Sequence, residues 1–519
     1  MELVFFNAGF VCSILFSLAF PNLIFKEGLN LNGVETYLSF LGLILGSSLF
    51  FLPEEKIGKE CGVLGIASGF YVLIFYWVYI PMEAFKGISQ FNSHLLGLVF
   101  FIIHIVPYII NIFLYKKLAP YFSLPVLNIL CALLFSIGEF VFPQIVPLNP
   151  AHCLLRVGAT QIWASWGGVP LISFLLYWFL FSLSTESQLR KKMLILVLGI
   201  VIYHLPGLFS KMDLEKNSKP LRINLVQPNT PNTTKLDVEK GGIRAFANHL
   251  QNDLIKTSGS EYADLIIWPE TAIPFNLLIR DIGLGVNQLP VLKQGMLNSP
   301  ALLTGVYIAT SAEEGTATNS AVLLVKGELK GRYDKGYLKP FSETFPIPWL
   351  EPWVSSLLSS PYTVIQGKDF HLFDYMGFNF ITTICYEALK SNYWRTYLNS
   401  LSSHPQFMVN IANDKWFKDS SQPFLHYYMN QWRSLEFDLP IIRSANAGVS
   451  GVIFPENLNF FKTNVHVKSS HILDLKISQR KPTFYQIYGI VPTLLMGLFC
   501  LCLIHFLRKI KVLRSKQTA

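Results

Sequence analysis

FITTICYEALK, residues 380–390, is the stretch on which the fold turns. An apolar β-type run, residues 378–384, feeds directly into Cys385, and CYEALK has the composition of a helix start. A thiol at a helix N-terminus meets free N–H donors and roughly half a positive charge, which favours the thiolate nucleophile. The backbone N–H of Tyr386 is then placed to donate to an oxyanion. A buried, inert thiol is the other reading of a lone cysteine. Of the seven cysteines, Cys12, Cys61, Cys131, Cys153, Cys500 and Cys502 fall in or beside long apolar stretches. Only Cys385 falls in the segment of ordinary globular composition.

Outward from Cys385 the strand and helix patterns alternate. Residues 221–226, 263–268, 301–308, 319–325, 328–333, 407–411, 440–443, 449–454 and 465–475 read as strands, and 239–257 has helical periodicity. Lys326-Gly327 sits where a hairpin would turn. Strands interleaved with helices predict an α/β sandwich. Two more polar residues follow apolar strands, where such folds place chemistry. Glu270 in LIIWPET suits a general base as well as a solvated loop, and Lys335 lies in GRYDKGYLKPFSETFP with Glu343 further along the same loop.

The rest of the chain is of another kind. Half of its 519 residues are hydrophobic, charged residues make up 14%, and there are 42 phenylalanines. That balance belongs to a membrane protein. Eight apolar stretches approach the ~20 residues a span needs: 3–25, 36–52, 62–82, 95–115, 122–142, 167–183, 193–209 and 486–507. The first lacks the basic flank of a signal peptide and is followed by further spans, so it reads as a span. This predicts a seven-span domain over residues 1–210, an α/β domain over 220–482, an eighth span over 486–507 and a basic tail over 508–519. Lys56, Lys59, Lys116, Lys117, Arg190, Lys191, Lys192 and the tail's Arg508, Lys509, Lys511, Arg514 and Lys516 share one side of this topology; Lys26, Lys86 and Arg156 lie on the other. The positive-inside rule then puts both termini in the cytoplasm and the α/β domain outside. The net charge of +9 is accounted for by these membrane edges and points to no nucleic acid. Glu139, inside an apolar run, is either a paired functional carboxylate or, with a shorter span, an interface residue. Trp349 and Trp353, in PIPWLEPWVSSLLSSPY at 346–362, suit a bilayer interface or a surface helix packed on its own domain.

Glu in WPE, Lys in YDK and Cys in ICYE, in that order, resemble the Glu-Lys-Cys triad of the nitrilase superfamily. Eight spans with this domain inserted before the last resemble the apolipoprotein N-acyltransferase family. The shared motifs include GGVPLISFLL at 167–176, TNSAVLL around Asn319, PFSE ending at Glu343, CYE at 385–387, NDKWF at 413–417 and RSLEFDLPIIRSANAGVSGVI at 433–453. The resemblance implies an αββα sandwich beside a multi-span helical bundle, in a bacterial inner membrane with the catalytic domain in the periplasm. It implies ping-pong transfer of an acyl chain from a phospholipid, through a thioester on Cys385, to the N-terminal α-amine of a diacylated apolipoprotein. Glu270 would be the general base and Lys335 the oxyanion's cation. Glu343, Tyr386 and Glu387 would support them, and Trp416, Trp349, Trp353, Glu139 and Asn319 would line the substrate path. No cofactor or metal is implied, and His371, His404, His426, His466 and His471 show no ligand spacing. The chain departs from the family pattern at Pro228 in QPN, at Lys339 and Ser342 in KPFSE, and in the fifth span, where the family's Glu-Trp-Leu-Arg signature is reduced to Glu139-Phe140. A membrane-anchored amidase acting on small amides would share the triad, but would need neither the spans nor the apolar arm.

Overall fold

The computed structural model describes residues 2–27, 34–50, 65, 68–70, 72–80, 90–142, 144–206, 218–235, 249–278, 300–309, 316–340, 342–344 and 364–517. The N-terminal part is helical. Helices α1 (Glu2–Ser17), α2 (Val34–Phe50), α3 (Gln90–Leu118), α4 (Leu124–Val141), α5 (Thr160–Thr185) and α6 (Leu189–His204) are joined at the far end of the chain by Val491–Gln517. Among the described residues four helical stretches are long and apolar enough to cross a membrane: Ser93–Leu118, Leu124–Val141, Thr160–Thr185 and Val491–Ile510. Their outward faces carry bare apolar side chains, including Ile109, Phe113, Val141, Leu495 and Phe499. Such a surface suits lipid rather than water.

Several predicted span boundaries move: the first helix ends at Ser17 rather than at residue 25, and α6 runs Leu189–His204 rather than 193–209. The sixth starts at Thr160 rather than at residue 167, because Gly168, at φ +65°, lets the helix kink ahead of Pro170 and continue. The last starts at Val491 rather than at 486. A short helix, Phe484–Tyr488, stops at Gly489 with φ +59° before the span begins.

The second part holds two sheets. One runs in the order β14 (Ser469–Ile477), β1, β2, β4, β5, β6, with β3 on β4 and β7 on β5; the other runs β13, β12 (Gly451–Phe454), β11, β10, β9, β8. The strands of the site are β1 (Lys219–Gln227), β2 (Leu265–Ile267), β4 (Ala301–Ala309), β5 (Ala317–Val325), β6 (Glu328–Asp334), β9 (Phe378–Ile384), β10 (Phe407–Ala412) and β11 (Ile441–Ala445). β10 is buried along its whole length and pairs in parallel with β9 and β11, which explains why it is apolar except at Asn410, whose side chain is bonded to Thr383 and Arg443. The β5–β6 hairpin turns where predicted, with Lys326 at φ +50° and Gly327 at φ +84°. Between the sheets, the Phe380 ring stacks on Phe373 and Phe407 at centroid distances of 5.1 and 4.9 Å. Burying each such ring contributes on the order of 1.5–3 kcal/mol. Helices α7 (Ser391–Ser400) and α8 (Gln422–Phe437) cover the second sheet, and the helical segment at 250–258 covers the first. The architecture is the expected αββα sandwich. β3 (Ile273–Leu278), β7 (Val364–Ile365), β8 (Phe373–Tyr375) and β13 (Asn457–Lys462) were not read from the sequence.

α8 has two jobs. Tyr427 and Phe437 pack into the sandwich, while Leu425, Tyr428, Met429, Trp432 and Leu435 join the core of the helical bundle. Glu436, near its end, accepts hydrogen bonds from Val169 N at 3.2 Å and Ser391 Oγ at 2.7 Å. The domain therefore docks on the bundle through an apolar helix face fixed by one buried carboxylate. Gly168 lies at this junction, and a Cβ there would stand 2.4 Å from the Tyr485 ring. Gly168→Ala adds both that clash and a strained φ, so it should lower the midpoint of thermal unfolding in detergent by several degrees. A fluorescence-detected melt checks this.

Candidate active site

Glu270, Lys335 and Cys385 come together from three strand ends. Glu270 follows β2 by three residues, and Gly305 on β4 lets this turn approach closely. A Cβ at Gly305 would sit 2.6 Å from Thr271 N and 2.7 Å from Glu270 Cα. The Glu270 carboxylate accepts from Asn319 Nδ2 and from the backbone N–H of Asn413, each at 2.8 Å. Lys335 follows β6, and its own N–H donates to the Asn319 carbonyl at 2.8 Å. Asn319 thus fixes the base and the lysine at once, one through its side chain and one through its backbone.

The Lys335 ammonium is almost wholly buried. It lies 2.7 Å from Glu343 Oε1 and 3.5 Å from Glu270 Oε1. Burial alone would strip its proton, but Glu343, Glu270 and Cys385 reverse that and hold it firmly charged. Glu343 is itself fixed by the Lys339 N–H, 2.7 Å from its other oxygen.

Cys385 is half-buried and sits at φ +52°, a left-handed conformation that non-glycine residues rarely adopt. Its carbonyl accepts from His426 Nε2 at 2.9 Å. His426 Nδ1 lies 2.9 Å from Asp414 Oδ1, and Arg443 Nη2 lies 2.7 Å from Asp414 Oδ2. This chain of buried groups holds the strained residue in place. The expected helix N-terminus differs in kind, since Cys385–Leu389 is a five-residue 3-10 turn. Its dipole does not lower the thiol. Burial pushes the thiol up, Glu270 and Asp414 push it further, and Lys335 and Lys339 oppose them.

Glu387 binds the lysine loop to the cysteine turn. One oxygen accepts from Tyr333 Oη at 2.7 Å, Gly336 N at 2.7 Å and Tyr337 N at 2.9 Å; the other accepts from Ile384 N at 2.7 Å. Burial pushes this carboxyl up to about 7, against the four donors that favour its charge. Tyr386 points the other way, and its hydroxyl donates to the Ile145 carbonyl below the bundle's fourth helix. Between them, at the junction of sandwich and bundle, lies a cavity of about 490 Å³ lined by Ser136, Glu139, Leu338, Tyr386, Lys390 and Glu436, among others. The triad does not line this cavity. Glu139 is buried and paired, accepting from Tyr108, Ser173 and Tyr177. Trp416 is exposed at the surface of the turn Asp414–Phe417, so it is no core aromatic. Trp349 and Trp353 lie outside the described residues. Asn413, Asp414, His426 and Arg443 were not singled out as site residues from the sequence. Asn413 and Asp414 lie in NDKWF and Arg443 in the 433–453 motif, but a single chain gives no spacing rule that pairs them with one another or with His426 on α8.

A family model described as carbon-nitrogen hydrolase matches residues 247–471, which contain the whole of this geometry. The chain thus carries a carbon-nitrogen hydrolase domain. The apolipoprotein N-acyltransferase of Wigglesworthia glossinidia brevipalpis is 27% identical over 465 residues, covering 85% of this chain and 87% of that protein. That of Geobacter metallireducens is 27% identical over 264 residues, half of this chain and 49% of that protein. A nitrilase-superfamily structure, Saccharomyces cerevisiae Nit3, matches 51% of this chain and 93% of its own at 12% identity and a TM-score of 0.36. Over most of its length the chain is thus similar to apolipoprotein N-acyltransferases, although it spans about half the length of some of the relatives it matches.

Glu387→Gln replaces one of two accepting oxygens with an N–H₂ facing donors. It should destabilise the protein by about 2–4 kcal/mol and release the Lys335 loop. Chemical unfolding, read beside the rate of Cys385 alkylation, measures both effects.

Proposed function

We propose that this protein transfers an acyl chain from a membrane phospholipid to the N-terminal α-amine of a diacylated apolipoprotein, with Cys385 as the thioester carrier. The observation that supports it best is the buried ammonium of Lys335 between two carboxylates, beside a cysteine, in a domain docked on apolar helices. Glu270 takes the Cys385 proton as sulfur attacks the ester carbonyl. Negative charge on the carbonyl oxygen is met by Lys335 and by the free N–H groups that open the 3-10 turn at Tyr386. Collapse of the tetrahedral intermediate passes the proton from Glu270 to the leaving alkoxide, and a lysophospholipid departs. The amine then attacks the thioester, Glu270 accepts its proton, and the regenerated thiolate recovers it.

The helical part has a physical reason in this scheme. Pulling an acyl chain out of a bilayer costs ~0.8 kcal/mol per CH₂, and a site at the bilayer surface avoids that cost. In this reading the protein sits in a bacterial inner membrane with the sandwich on the periplasmic side, as the Lys/Arg asymmetry of the loops favours.

Purified enzyme mixed with phospholipid should accumulate a hydroxylamine-sensitive acyl adduct on the Cys385 peptide. Cys385→Ala should lose both the adduct and N-acylation of a diacylated lipopeptide, by at least about 1,000-fold. Turnover of small amides without any lipid adduct would sink the proposal.

A further inference from the structure

Lys235 lies beside the base, and the proposed proton transfers do not use it. It closes a single helical turn, residues 232–235, with its N–H donating to the Pro231 carbonyl at 3.2 Å. Its side chain is buried against the turn that carries Glu270. Nζ lies 2.8 Å from the Thr271 carbonyl, 3.0 Å from Thr271 Oγ1 and 3.4 Å from the Glu270 carbonyl. The three N–H donors of an ammonium match these acceptors one for one. Thr271 sits at φ +47°, in the left-handed region that non-glycine residues rarely adopt.

The carbonyls of this turn can be followed one by one. That of Pro269 accepts from Gly305 N at 3.2 Å and Ala272 N at 3.3 Å. Those of Glu270 and Thr271 accept from Lys235, and that of Ala272 lies 3.2 Å from His249 Nε2. Glu270 and Thr271 are both buried, so a carbonyl that loses its donor there has to turn towards another. A peptide that turns at this point carries the Glu270 side chain with it, away from Asn319 Nδ2 and the Asn413 N–H. The same stretch of chain also reaches the carboxylate from its other end. The Thr230 N–H donates to Asn446 Oδ1 at 2.9 Å, Asn446 Nδ2 donates to Asn413 Oδ1 at 3.0 Å, and the Asn413 N–H holds Glu270 Oε2 at 2.8 Å. Residues 230–235 thus grip the base by its backbone and, through two asparagines, by its carboxylate.

We propose that Lys235 is the positioning residue of the base: its ammonium clamps the Glu270 and Thr271 carbonyls, fixes the left-handed turn they belong to, and so keeps the Glu270 carboxylate in register with Asn319, Asn413 and Lys335. The inference rests on the reading of Glu270 as the base. It makes Lys235 a residue that acts through Glu270 and not on the substrate, in contrast to Lys335, which is left to meet the carbonyl oxygen.

The test uses the full-length protein in detergent, with dipalmitoyl phosphatidylglycerol as donor. The burst of acyl adduct on the Cys385 peptide, read by mass spectrometry, measures the first step. Displacing a catalytic group by about 1 Å costs up to roughly 100-fold in rate. Lys235→Met, similar in length but without donors, should therefore slow the burst at saturating lipid by at least about tenfold, and leave the half-saturating lipid concentration within about threefold. Glu270→Gln should slow it by about 100-fold or more. The double variant should be at most about threefold slower than Glu270→Gln alone, because a clamp has nothing to position once the base is gone. A lysine that served only the stability of the fold would instead give losses that multiply. If Lys235→Met does not fold, Lys235→Gln carries the same cycle. A folded Lys235 variant whose burst stays within about threefold of wild type, or losses that multiply in the double variant, overturn the inference while Glu270 remains the base. Glu270→Gln with a wild-type burst is a different result: it removes the base reading, and the inference with it.

Discussion

A lysine ammonium withdrawn from water is the constraint on which this site is built. An isolated buried ammonium would lose its proton or unfold its surroundings. Lys335 keeps its charge because Glu343 and Glu270 face it, and each of those carboxylates is anchored by backbone or amide donors. Those anchors come from the end of β10, from β5 and from the loop after β6, so one charge cluster ties together both sheets of the sandwich. Removing one partner of such a pair leaves a buried charge uncompensated, at a cost of about 3–5 kcal/mol. The cluster is therefore a fastener as well as a reaction centre, and the geometry of the triad cannot drift without straining the fold.

The second requirement is that this centre stay attached to the helices. Glu387 joins the Cys385 turn to the lysine loop through four hydrogen bonds, and the next turn of chain reaches the bundle. Lys390 Nζ donates to the carbonyls of Gln144 at 2.6 Å and Ile145 at 3.0 Å. The Tyr386 hydroxyl donates to that same Ile145 carbonyl. Burial leaves the Lys390 amine at about 7, so carbonyl oxygens, not an ion pair, are its partners. Five residues after the nucleophile the chain is thus already pinned to the membrane part. Motion of the sandwich relative to the bundle would be transmitted directly to Cys385.

How much of this was legible in the sequence follows from range. Strand–Cys–turn, WPE and the YDK loop are local patterns, and they mark strand ends: Glu270 lies three residues past β2, Lys335 directly after β6, Cys385 directly after β9, and the hairpin turns at Lys326-Gly327. The β10 run could be read because a strand buried on both faces is mostly apolar; its one polar residue, Asn410, is satisfied by Thr383 and Arg443. The short strands β7 and β8 have two and three residues, too few for a period. The span edges at Thr160 and Val491 depend on glycines with positive φ, and a hydropathy window cannot sense a kink. Asp414, His426 and Arg443 lie on three different elements and become a group only when β10, α8 and β11 pack. The thiol was misjudged for a related reason. A dipole is visible in a local pattern, whereas desolvation by the surrounding chain is not, and desolvation wins.

That last difference bears on how a thiol of this kind can serve acyl transfer. A permanently ionised cysteine in an oxidising compartment would react with whatever reached it. A thiol whose proton is held by burial and by neighbouring carboxylates is poorly reactive at rest. In the proposed reaction it becomes a nucleophile when Glu270 takes the proton and the negative charge passes on to a carbonyl oxygen beside Lys335; the ester would then supply the sink that makes ionisation favourable, coupling it to occupancy. The strained φ at Cys385, held by His426 through the backbone carbonyl, serves the same end, because a sulfur that cannot swing away meets the carbonyl without further loss of freedom. In the proposed reaction the resulting thioester waits in the same desolvated pocket. Exclusion of water there protects the stored acyl group until an amine, the stronger nucleophile, replaces the departing lysophospholipid.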